Sequence, residues 1–217
     1  MATMTALNPL LQLEAFGQSV WLDNFRRAWI VSGELERMVK EYGLKGVTTN
    51  PTIFEKAVLG SNDYDEAIRA LVDQGLDTKE IYETLMIEDI RMAADVLKPV
   101  YNETDGLDGY VSIELPPSIA RDTESTIFQA KRFHKLVDRE NILVKVPGTL
   151  EGIPAIEQLT YEGINVNITL LFSNARYEQI AKAYIKGLRR RVDAGKMIGR
   201  IASVASFFVS RIDTAVD

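Results

Sequence analysis

Short apolar runs alternate along this chain with longer stretches whose apolar residues recur at helical spacing. The runs are Ser19 to Asp23, Gly46 to Asn50, Gly109 to Leu115, Asn141 to Val146, Ile164 to Phe172 and Ile201 to Phe208. Several are rich in Val, Ile or Thr, which suits strands. Between them, helical faces are predicted from Ile68, Leu71 and Val72, from Ile81, Leu85 and Met86, from Phe128, Phe133 and Leu136, and from Tyr177, Ile180, Ala181 and Tyr184. Strand and helix in alternation demand crossover connections, and hence a parallel sheet. Runs apolar on both faces fit strands that helices cover on each side. The pattern therefore predicts an α/β fold with six visible strands. The gap from Thr52 to Asp108 is expected to hold two or three helices, with a break at Lys98-Pro99, because proline disfavours helix at the residue before it. Asn102 to Asp108 reads as a polar loop. No solenoid repeat, low-complexity tract or linker is visible, so residues 1–217 read as one domain.

Composition narrows the chemistry. The chain has 217 residues, 46% of them hydrophobic and 26% charged, enough apolar content to bury a core. Its net charge of −6 argues against a general nucleic-acid binder, which must neutralise phosphates. There is no Cys, which excludes disulfides, thiolate metal sites and Cys nucleophiles. A single His excludes a His-rich zinc site and leaves any Ser-His-Asp triad dependent on one residue. Met1 to Phe16 lacks a basic region, a long apolar run and a small-residue cleavage site, and no segment approaches the roughly 20 apolar residues that span a bilayer. A cytoplasmic protein without a membrane partner is the expectation.

The informative positions are polar residues that interrupt the strands. Lys145 lies within Ile142-Leu143-Val144-Lys145-Val146-Pro147-Gly148. An ammonium in a doubly covered strand is costly unless it is paired or loses its charge, and the neutral amine is a nucleophile for carbonyls. For Lys145 alone, an edge-strand or snorkelling lysine is the commoner case. The other strands shift the balance. Asp23 ends the first run, Asn50 the second, and Glu114 lies near the end of the third. Asn165, Asn167 and Thr169 alternate along the fifth and so share a side. Parallel strands would gather these groups at their carboxyl ends, where α/β ligand sites form. Together they suit a carbonyl substrate. Lys145 would form a Schiff base, and Asp23 would take the proton of the hydroxyl whose carbon–carbon bond breaks. Glu114 would serve imine formation and hydrolysis, with Thr169 orienting a water. Asn50 and Asn167 suit substrate hydroxyls.

Several segments resemble the transaldolases. They are Ser19 to Asn24, Gly46-Val47-Thr48-Thr49-Asn50-Pro51-Thr52, Leu143-Val144-Lys145-Val146-Pro147-Gly148-Thr149, Ile164 to Ser173, and Ser206-Phe207-Phe208-Val209-Ser210-Arg211. The resemblance covers nearly the whole chain in the family's order. It implies a (β/α)8 TIM-barrel fold and transfer of a dihydroxyacetone unit from a ketose phosphate to an aldose phosphate. Lys145, Asp23, Glu114 and Thr169 would be catalytic. Asn50, Asn167, Ser206, Arg211 and Phe208 would bind substrate, with Ser206 and Arg211 on its phosphate. No cofactor and no metal is implied, sugar phosphates are the partners, and a monomer or homodimer is expected. The related fructose-6-phosphate-type aldolases have Tyr where Phe208 stands and lack a Glu matching Glu114, so both residues favour transaldolase. Phe207 and Ser210 depart from the Pro and Gly of shorter transaldolases. Thr52 to Asp108 resembles the larger bacterial members, some fused to a sugar-phosphate isomerase. The family barrel has eight strands. The expectation is thus a barrel truncated after strand six, with the last two strands and a second phosphate-binding Arg beyond Asp217. A sugar-phosphate-binding module or an inactive fragment is the alternative.

Other features have blander readings. His134 reads as a solvated helix residue, and Lys186, Arg189, Arg190 and Arg191 as a solvated basic face near a helix end. Gly148 to Gly152 reads as a turn into a helix, Ser32 to Glu36 as a helix start, and Trp21 and Trp29 as packing residues.

Overall fold

The computed structural model describes residues 8–217, so the reading of residues 1–16 as free of a leader falls partly outside the described residues. The chain divides into two compact units. The first comprises the described residues up to Val111 together with Arg139–Asn141, and the second comprises Ser112–Asp138 and Ile142–Asp217.

The first unit carries α1 (Pro9–Gln12), a 3-10 turn (Leu13–Phe16), β1 (Val20–Leu22), α2 (Arg27–Val31), α3 (Glu34–Tyr42), β2 (Leu44–Thr48), α4 (Pro51–Leu59), α5 (Asp65–Asp73) and α6 (Thr78–Glu103). It also holds the start of β3 (Tyr110–Glu114). β1 and β2 pair in parallel, with Trp21 opposite Gly46. Position 46 must be glycine, because a Cβ there would lie 2.3 Å from the Trp21 ring. A capping box starts α6: Asp77 accepts from the Glu80 N–H and Glu80 accepts from the Asp77 N–H. Leu35, Val47, Ile90, Ala94 and Leu97 are among its fully buried core residues.

The second unit carries the remainder of β3, a 3-10 turn (Pro117–Ile119), α7 (Thr123–Val137), β4 (Ile142–Pro147), α8 (Gly152–Glu162), β5 (Val166–Leu171), α9 (Asn174–Asp193), β6 (Ser203–Phe207) and α10 (Val209–Val216). β4–β5 and β5–β6 are parallel, and strand order follows chain order from β1 to β6. Strand and helix alternate through six strands, as the pattern predicts, in the manner of the (β/α)8-type fold that the resemblance implies. β4 shows why its sequence is so apolar: Ile142, Leu143, Val144 and Val146 are all fully buried. The helices α8 and α9 approach closely at Gly187, where a Cβ would fall 2.6 Å from the Glu157 carbonyl oxygen.

Three expectations change. The predicted break at Lys98-Pro99 does not occur, because α6 runs through Pro99 to Glu103. Proline forfeits the bond to the carbonyl four residues back, but the flanking Leu97, Val100 and Tyr101 are buried, and that packing carries the helix onward. The loop reading of Asn102 to Asp108 therefore begins two residues too early. The apolar face of α7 runs through Thr126, Ala130, Phe133 and Val137, while Phe128 is 68% exposed and Leu136 39%. Spacing alone did not separate these two faces of the helix. Likewise Val72 is exposed on α5.

Candidate active site

In the second unit, β4 brings Lys145 level with Asn167 on β5, and Pro147 level with Thr169. Lys145, Asn167 and Thr169 are all buried. The Lys145 ammonium lies 3.5 Å from a carboxylate oxygen of Glu114, at the end of β3. Strand geometry explains the grouping. Residues two apart share a face, so Asn165, just before β5, and Asn167 and Thr169 within it step along one side towards the strand's carboxyl end. Asn165 is the structural member: its amide donates to Ile142 O, and its carbonyl accepts from Ala202 N–H, stitching β5 to both neighbours.

Asn167 is held from two sides. Its amide donates to Ser112 Oγ on β3 at 2.9 Å, and the Ser206 hydroxyl on β6 donates to its carbonyl oxygen at 2.9 Å. The Asn167 side chain is thereby fixed beside Lys145. Ser112 is fully buried and escaped the sequence reading. Its place two residues before Glu114, on the same strand face, was the available signal. Ser206, expected on phosphate, spends its hydroxyl proton on Asn167. At the ends of β5 and β6, Phe208 stacks on Phe172 with ring centroids 5.8 Å apart, and the exposed Arg211 guanidinium lies 4.3 Å from the Phe208 ring. Leu170, next to Thr169, takes a left-handed backbone (φ 59) where the β5–β6 register slips, so the strand bulges beside a candidate catalytic residue. Arg176, in the first turn of α9, has a terminal nitrogen that is buried without a hydrogen-bond partner.

The first unit carries the other two candidates at strand ends. Asp23 immediately follows β1 and is exposed. Asn50 follows β2 and caps α4, its side-chain oxygen accepting from the Ile53 N–H at 3.0 Å. That cap leaves the amide NH2 of Asn50 for another acceptor. Thr48 ends β2 with a buried hydroxyl that has no hydrogen-bond partner.

A family model described as transaldolase/fructose-6-phosphate aldolase matches residues 20–217. The chain belongs to the transaldolase/fructose-6-phosphate aldolase family. It is 55% identical over 207 residues to "Transaldolase 2" of Nostoc punctiforme, covering 95% of this chain and 54% of that protein. It is 53% identical over 210 residues to "Transaldolase" of Trichodesmium erythraeum, covering 97% and 55%. It is 46% identical over 215 residues to "Transaldolase" of Mycobacterium bovis, covering 99% and 58%. The chain thus spans just over half the length of these relatives.

The features set aside in the sequence gain particulars within this transaldolase-family chain. The basic cluster is not merely solvated. Arg190 pairs with Glu157, bonds Gln158 and lies over the Tyr161 ring; Lys186 pairs with Glu157; Arg191 donates to Tyr161 O and Met197 O. These residues fasten α9 to α8. His134 is half-buried, and burial pulls its pKa below the ordinary 6.5. Gly152 does start α8, with Thr149 Oγ1 accepting from its N–H. Among the described residues, no helix is long and apolar enough to cross a membrane. No group of three or more His, Asp or Glu among them is arranged to hold a metal ion.

Proposed function

We propose that this chain is the Schiff-base-forming part of a transaldolase, moving a dihydroxyacetone unit from a ketose phosphate to an aldose phosphate in the pentose phosphate pathway. One observation carries the reading: a buried strand lysine, Lys145, with the Glu114 carboxylate 3.5 Å from its nitrogen. The Lys145 amine adds to the ketone, and loss of water gives the iminium. Glu114 relays the proton and Thr169 orients the water of that step and of its reversal. Asp23 takes the proton of the hydroxyl on the carbon being released. The carbon–carbon bonding pair then flows into the iminium, leaving an enamine on Lys145 and freeing the aldose. The enamine attacks the acceptor aldehyde, and hydrolysis frees the new ketose. Asn50 and Asn167 hold the three-carbon unit. Arg211 binds phosphate by its guanidinium fork, with Ser206 and Phe208 shaping that end. Residues 1–217 belong to a single, incomplete transaldolase-like barrel domain in this reading. The protein works in the cytoplasm as a monomer or homodimer, without nucleic acid, metal or organic cofactor.

The test is reductive trapping. Borohydride with fructose 6-phosphate is expected to add a three-carbon mass to Lys145, and a folded sample without that adduct rejects the reading. The aldolase alternative is disfavoured by Phe208 and by Glu114 beside Lys145. It predicts free dihydroxyacetone without an acceptor. The non-catalytic alternative predicts sugar-phosphate binding without any adduct.

A further inference from the structure

The first unit contains a buried charged cluster that the chemistry above does not use. Asp89, on α6, is fully buried, and each of its carboxylate oxygens is taken. Arg27 Nε donates to one at 2.6 Å, and the Tyr64 hydroxyl donates to the other at 2.7 Å. The Tyr64 hydroxyl in turn accepts the Arg27 backbone N–H at 3.1 Å. The Arg27 guanidinium lies over the Tyr64 ring, 5.0 Å from its centroid, and also reaches Glu88 at 3.0 Å and Leu85 O at 3.4 Å. Side chain and main chain of Arg27 are thus gripped together.

Both ends of this clamp lead to candidate site residues. Arg27 lies four residues after Asp23, and the intervening Phe25 is 2% exposed, so the segment leaving β1 is anchored twice. Tyr64 packs edge-on against Phe54, with ring centroids 5.7 Å apart. The Phe54 N–H donates to Asn50 O in the first turn of α4. A buried ion pair seldom improves on apolar packing for stability, so its value lies in geometry. An error of about 1 Å in placing a reacting group can cost about 100-fold in rate.

We propose that Arg27, Tyr64 and Asp89 are positioning residues that fix the segment bearing Asp23 and, through Phe54, the segment bearing Asn50. The proposal rests on the transaldolase reading. Its signature follows from the role of Asp23, which acts after the imine forms. Loosening the clamp slows carbon–carbon cleavage and leaves the Lys145 imine able to form.

The decisive variant is Tyr64→Phe, which keeps the ring and deletes the hydroxyl. Full-length wild type and variant are treated with fructose 6-phosphate and borohydride, and the adducts on Lys145 are weighed. Wild type is expected to carry the three-carbon adduct. Tyr64→Phe is expected to carry mainly the uncleaved six-carbon adduct, with kcat lowered about 10-fold or more. Amide exchange at residues 25–27 should quicken alongside. A three-carbon adduct at the wild-type ratio, even in a variant that melts earlier, overturns the proposal and leaves the cluster purely structural. Absence of any adduct on wild type overturns the transaldolase reading and this proposal together, a separate result. Should Tyr64→Phe not fold, Arg27→Lys is read the same way, because it keeps the charge on Asp89 and loses the fork.

Discussion

Replacing Lys145 by Met separates chemistry from folding. The lysine side chain is 9% exposed and its partner Glu114 27%. At 3.5 Å, with an effective dielectric of about 20, their attraction is about 5 kcal/mol. Taking an ammonium out of water costs several kcal/mol, so the pair roughly breaks even. Methionine fills the space of the buried lysine stem and removes the desolvated charge. Glu114 keeps access to water, so its lost partner costs only about 1 kcal/mol. Stability is therefore expected to change by less than about 1.5 kcal/mol, a melting shift within about 6 °C for a chain of this length. Lys145→Ala, which leaves a cavity, is expected to cost about 2–4 kcal/mol. Thermal melts by circular dichroism, borohydride trapping and a coupled transfer assay are run on the same samples. Lys145→Met should melt near wild type, form no adduct and show no turnover. An adduct or measurable transfer in that variant refutes the assignment of Lys145. A collapse of the melting temperature refutes the energetic argument.

Ser112→Ala removes the acceptor of the Asn167 amide at a fully buried site and should cost about 1–3 kcal/mol; KM for the donor should rise, and an unchanged KM would deny Asn167 its substrate role. His134 is the chain's one histidine, so its ring protons report it alone by NMR. Burial holds its pKa below 6.5, so the unfolded chain binds the proton first as pH falls. Its contribution to stability is full above pH 6.5 and declines from there towards the lower folded value, and His134→Gln should remove that decline. A midpoint at or above 6.5 would contradict the burial argument. Gly46→Ala drives a Cβ to 2.3 Å from the Trp21 ring and should destabilise by about 1–3 kcal/mol, with a change in tryptophan fluorescence. Pro99→Ala, at an exposed position inside α6, should restore a backbone bond and raise stability by about 1–3 kcal/mol; a neutral result would mean that the local bend is needed.

Six strands were legible from the hydrophobic pattern, most plainly β3, β4 and β5, because burial on both faces leaves a plain mark on a parallel strand. Helix faces were less legible. Phe128 and Phe133 are both apolar, and only the packing partners of α7 decide that Phe133 is buried. The break expected at Pro99 failed for the same reason: a local penalty of about 3 kcal/mol is offset by buried neighbours that the local sequence does not reveal.

The sequence by itself determined the alternation of strand and helix, and it named the candidate reactive groups. A lysine in a fully apolar strand, carboxylates and amides at strand ends, and the absence of cysteine leave few other chemistries open. The tertiary structure alone decided which groups touch. It set Glu114 beside Lys145, locked Asn167 between Ser112 and Ser206, and closed Arg27, Tyr64 and Asp89 into a buried clamp. These partners lie between 25 and 62 residues apart in the chain. A hydrogen bond acts over about 3 Å. Periodicity along a chain reports which face a residue takes, and only the packing of distant segments brings two such faces within that reach.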